Sequence, residues 1–167
     1  MKKFLLFTLM LLVGASFSYA KKVEALIPEY VIDGAGAARA GESLVKVTIY
    51  AKKKSDVTDD MLAKAAVHGV LFKGYSDQSK QGFGGNSQHP PVAGSAAAYD
   101  EHADFFVPFF QNGNHMNYVT FVDDQRGSIK SDKGYKVSAV VRVATGNLKK
   151  YLQDQKVNVV KSLNSGW

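Results

Sequence analysis

The chain has 167 residues, 46% of them apolar, with no cysteine and a formal net charge of +6. That length is enough to bury one sizeable core. The absence of thiols excludes disulfide staples, thiolate nucleophiles and zinc sites built on sulfur.

The first twenty residues read as an address. Lys2 and Lys3 precede "FLLFTLMLLVG", an apolar run too short for a comfortable membrane span, and "SFSYA" follows with small Ser18 and Ala20. This order is that of a secretory signal, with cleavage expected after Ala20. Removing residues 1–20 leaves 147 residues and, without the two leader lysines, a charge near +4. No cysteine follows the apolar run, so a lipid anchor there is excluded, and no later run is long enough to cross a bilayer. The expected product is exported to the periplasm or beyond, with no transmembrane segment after cleavage.

From there the chain is expected to fold as one α+β domain over 21–167. "EYVIDG" is a weak first strand, followed by the small-residue loop "GAGAARAGES". "LVKVTIYA" alternates, with Val45, Val47, Ile49 and Ala51 on one face and Leu44, Lys46, Thr48 and Tyr50 on the other, and can pair with the first strand as a hairpin. "SDVTDDMLAKAAVHGVLF" predicts a helix capped by Thr58, with Asp59 and Asp60 in its first turn, ending between Gly69 and Phe72. "KGYSDQSKQGFGGNSQHPPVAGS" has no periodicity and predicts a flexible loop over about 74–95.

"AAAYDEHADFFVPFFQNGNHMNY" then gathers two histidines, three acids and four phenylalanines. Tyr99, Ala103, Phe106 and Phe110 fall at helical spacing, and Phe105 and Phe109 widen the stripe, so a core helix is expected. Ser95 is its expected cap, Pro108 its expected kink or break, and Asn112-Gly113 its stop. "NYVTFVD" and "YKVSAVVRV" predict a hairpin with "DQRGSIKSDKG" as a long tip. "ATGNLKKYLQDQ" predicts a short helix capped by Thr145 or Asn147, with Lys149, Lys150 and Gln153 facing water, and "VNVVKSL" a weak last strand. The order argues for a mainly antiparallel sheet with helices on one face, and admits a ferredoxin-like core carrying the loop and the phenylalanine helix as insertions.

No reaction signature accompanies this pattern. The positions one turn either side of His102 are Ala98 and Phe106, neither of which can bind a metal, and the sequence has no H-E-x-x-H. "GFGGNS" does not match a phosphate loop, and the acid pairs Asp59-Asp60 and Asp123-Asp124 are explained by capping and turn formation. The basic clusters "AKKKSD" and "NLKKYLQDQK" read as solvated surface, unlike the stripe with interleaved aromatics of a nucleic-acid binder, so no nucleic-acid partner is expected. No catalytic, cofactor-binding or metal residue is therefore assigned. The long loop offers instead a contact surface for an envelope protein or ligand, with Tyr75, Phe83, His89, Pro90 and Pro91 as its anchors; the bland alternative is a surface excursion without a role. The function expected is non-enzymatic binding in the cell envelope. The alternatives are an exported metal-dependent hydrolase using His89, His102 or His115, and a structural subunit of an assembly.

Three blocks, "SLVKVTIYAKK", "AAVHGVLFKGY" and "EHADFFVPFFQNGNHMNYV", resemble a family of small exported proteins of Gram-negative gut bacteria whose activity is not established. The resemblance covers most of the expected mature chain. It implies a periplasmic or surface location and brings no catalytic residue with it.

Overall fold

The strongest alternation in the sequence builds the middle of the sheet. β2 (Ser43–Ala51) and β6 (Gly134–Val143) pair antiparallel with Val47 opposite Ala139 and Val45 opposite Val141. β1 (Tyr30–Gly34) flanks β2 as the expected hairpin, β5 (Val119–Ser131) flanks β6, and the four-stranded order is β1-β2-β6-β5. The computed structural model describes residues 26–77 and 87–157. The expected leader, Phe83 and all of the expected last strand except Val157 lie outside them.

β2 and β5 run parallel with antiparallel β6 between them, and helices connect β2 to β5. That is the split β-α-β core expected from Leu44 onward. The far edge of β2 is held by β1, which comes from the N-terminal side of the core.

The inner face of the sheet is apolar because β2 and β6 place an apolar, mostly β-branched residue at every second position. Val45, Val47, Ile49, Val137, Ala139, Val141 and Val143 are all at most 2% exposed. Against them packs α1 (Asp59–His68), whose small Ala63, Ala65 and Ala66 let its axis approach closely. Thr58 caps it as expected, its hydroxyl accepting from the Met61 amide at 3.2 Å. We expect Thr58→Ala to lower stability by about 1 kcal/mol and Thr58→Ser to restore it. Urea unfolding of the three proteins checks this, and equal midpoints would refute it.

The outer face carries no helix among the described residues. Val31, Tyr50 and Ile129 remain 46%, 53% and 71% exposed there, and Lys136 reaches over the Tyr50 ring.

Three elements differ from expectation. β5 runs straight through the segment read as a hairpin tip, and the turn is only Asp132-Lys133. Its pairing breaks between Phe121 and Arg126, where residues 122–125 bulge opposite Val140, and resumes afterwards. The polar residues that mimic a turn thus mark a bulge with Asp124 at a positive φ of 61°.

The phenylalanine helix is two helices, α2 (Ala97–Glu101) and α3 (Ala103–Gln111), broken at His102 rather than at Pro108. Pro108 is accommodated inside α3 because the bond it cannot make would fall on the Asp104 carbonyl, in the exposed first turn. Gly113 ends the element in a left-handed conformation, as expected.

Capping is the third difference. Ser95 does not cap α2, whose N-cap is Ala96, and α4 (Thr145–Asp154) starts at Thr145 with Ala144 as N-cap and no side-chain cap. The Thr145 hydroxyl is instead turned inward, 2.8 Å from Ser43 Oγ and 3.2 Å from the Val143 carbonyl.

Candidate functional site

The site begins where α1 loses its regular turn. Gly69 lies against β1, where a Cβ would meet Ile32 and Tyr30 at 2.5 and 3.2 Å. From Gly69 to Lys73 the helix widens into a π-turn, closed by the Gly74 amide donating to the Gly69 carbonyl at 2.8 Å. Gly74 then takes φ 70°, ψ −176°, a conformation natural only to glycine, and any Cβ there would strike the His89 carbonyl. The chain leaves this point as β3 (Tyr75–Asp77) and returns as β4 (Ser87–His89), an antiparallel pair with Tyr75 opposite His89. The segment read as a structureless loop therefore carries a second, two-stranded sheet.

Tyr75 and His89 stack with ring centroids 4.5 Å apart and planes 14° from parallel. Pro90 and Pro91 follow β4, and the main chain then turns back onto the π-turn, with the Gly94 amide donating to the Pro91 carbonyl at 3.0 Å. Val92 donates to the Val70 carbonyl at 3.1 Å and Ala93 to the Leu71 carbonyl at 2.8 Å. Between this strap, the start of β2 and α4 lies a cleft of about 200 Å³. Tyr75, His89, Pro90 and Pro91 all line it, with Val70, Val92, Ser43, Thr145 and Lys149. Four of the five anchors named from sequence are thus brought to one place, and the fifth, Phe83, lies outside the described residues.

Lys149 corrects an expectation. The sequence places it facing water beside Lys150, but it is only partly exposed and lines the cleft. The reason is the buried Thr145. A helix that turns Thr145 inward places Lys149, four residues on, over the same flank. The four-residue spacing is visible in the sequence, but only the inward turn of the Thr145 hydroxyl, which its cap-like position conceals, gives it meaning.

The histidines go to separate environments. His89 is exposed on β4, and His102 sits at the α2–α3 break. His115, which sequence reasoning left beyond the helix end, is fully buried. Its Nε2 lies 3.1 Å from Asp60 Oδ1, close enough for charge pairing but poorly aligned for a hydrogen bond, and its Nδ1 has no partner among the described residues. Burial pulls its pKa down, and Asp60 opposes that pull. Asp60 also pairs with Lys64 at 2.7 Å, and Asp59 pairs with Arg126, which donates to the Val57 carbonyl as well. The two acids of the first turn therefore tie α1 to neighbouring elements in addition to meeting its positive end.

His68 belongs to the core. Its Nδ1 is hydrogen-bonded to the Tyr30 hydroxyl at 2.6 Å, and its ring packs among Phe72, Tyr99 and Phe110. Burial, then the nearby Lys73, lowers its pKa from 6.5 to about 4. Burial raises both tyrosines in this cluster, Tyr99 to about 12 with help from Asp100. At neutral pH the cluster is uncharged.

Among the described residues no three His, Asp or Glu side chains converge in a way that could hold a metal ion, and no helix is long and apolar enough to cross a membrane. Comparison of the chain with protein-family models, with curated proteins and with solved structures returns no match.

Proposed function

We propose that the chain is an exported, non-enzymatic binding module of the cell envelope, and that the cleft beneath the Tyr75–His89 stack is the surface that meets its ligand. One observation carries the reading. Aromatic, proline and lysine side chains from three separate parts of the chain line one preformed concavity. The order of charge, apolar run and small residues at the N-terminus supports export. The resemblance of the three sequence blocks to small exported proteins of gut bacteria points the same way. The metal-dependent hydrolase reading lacks support, because His89, His102 and His115 occupy three different surroundings and no ligand set forms among the described residues.

The test is capture from an envelope extract on the immobilised chain, in three versions. The wild type and Tyr50→Ala, which alters the outer sheet face, are expected to retain the same component. Tyr75→Ala is expected to lose it. Capture unchanged by Tyr75→Ala, or no capture by any version, would overturn the proposal.

A further inference from the structure

We infer that the cleft takes a carboxylate joined to a flat or apolar group of single-residue size. The carboxylate meets Lys149, and the apolar part lies against the aromatic and proline walls. This deepens the reading of the cleft as the binding surface and rests on it.

Charge is the first argument. Lys149 lines the cleft, no Asp or Glu does, and Lys149 makes no ion pair among the described residues. Lys149 is a partly exposed residue whose charge has no acid beside it, and an anion entering against the apolar walls would find that charge available. The chain treats a comparable lysine differently. Lys64, whose side chain is 14% exposed, is given Asp60 at 2.7 Å. At Lys149 the place of the acid is left to an incoming group.

Wall chemistry and size narrow the class. Val70, Pro90, Pro91 and Val92 offer apolar contact, and the stacked rings add a flat aromatic wall. A volume of about 200 Å³ falls below the roughly 300–1,000 Å³ of sites for drug-sized ligands, which suits one residue-sized group. Among the described residues the lining holds one lysine, the hydroxyls of Ser43, Tyr75 and Thr145, the His89 ring and no arginine. With Lys149 its single full-time cation and the Thr145 hydroxyl already bonded to Ser43 and the Val143 carbonyl, it suits a singly charged carboxylate better than a phosphate, which draws more cationic donors. Two sources share this chemistry: a free small carboxylic acid, and the C-terminal residue of a peptide chain.

The experiment is an amide NMR titration of the purified chain with four probes: 3-phenylpropanoate, 3-phenylpropanamide, acetyl-Gly-Gly-Phe with a free carboxylate, and the same peptide as its C-terminal amide. The acids are expected to shift the amides of Tyr75, Thr145 and Lys149, and to bind about tenfold tighter than the matching amides. Lys149→Met is expected to erase that preference by weakening the acids about tenfold more than the amides. Tighter binding of the peptide acid than of 3-phenylpropanoate assigns the site to chain ends; binding of 3-phenylpropanoate alone assigns it to small acids. Amides that bind as well as acids, or a preference that survives Lys149→Met, overturn the inference. If none of the four binds while Tyr75→Ala still abolishes envelope capture, the carboxylate assignment falls and the binding surface stands. If the acids bind as expected but Tyr75→Ala leaves capture intact, the cleft's chemistry stands and its proposed role falls.

Discussion

Phe106→Ala should lower the unfolding free energy by about 3–5 kcal/mol, the range for emptying a large aromatic site in a packed core. Phe106 is completely buried and meets the Phe72 ring edge-on, with centroids 4.8 Å apart and planes at 89°. It also touches Phe105, Phe109 and Tyr99, so its removal opens a gap between α3 and the π-turn that rigid neighbours cannot close. Urea midpoints at unchanged slope measure the loss. Phe106→Leu fills part of the space and should fall between the two. A loss under about 1 kcal/mol for the alanine variant would mean that α3 is not part of the core.

Acid should weaken the fold through His68. Its folded pKa of about 4 lies below the unfolded value of 6.5. Between those limits the unfolded chain binds the proton and the folded chain does not, so stability is complete above about pH 6.5 and declines as pH falls toward 4. The full difference corresponds to about 3 kcal/mol, reached only when the pH has dropped through the folded pKa. Protonation would also place a positive charge near Lys73, whose ammonium lies over the Tyr30 ring to which His68 is hydrogen-bonded. His115 acts in the same direction, because burial lowers its pKa too. Unfolding curves from pH 7 to pH 4 should therefore slope downward, and His68→Gln should flatten much of that slope. A pH-independent wild type, or a variant with the parental slope, would contradict this account.

The parts of the fold legible in the sequence are those where side-chain period and burial coincide. β2 alternates cleanly because one face is sealed by helices, β6 does so except at Val140, which is buried on the other face opposite the β5 bulge, and Thr58 announces α1 because an N-cap is a local interaction. β5 misled because a bulge and a turn use the same small and polar residues, and only pairing with β6 distinguishes them. The break at His102 carries no local signal, since proline is the stronger visible breaker and the chain absorbs it elsewhere. For the site, the aromatic and proline residues in a polar segment stand out, whereas Lys149 does not. Its setting depends on Thr145, which has the residue type and place of a helix cap but turns its hydroxyl inward to Ser43.

The main-chain bonds from Val92 and Ala93 to Val70 and Leu71 have a thermodynamic consequence. Rim and floor of the cleft are laced together before anything enters, so a guest finds its seat already shaped and little chain entropy is surrendered on docking. Calorimetry should then record a modest negative heat-capacity change from apolar contact alone, without the larger signature of coupled folding.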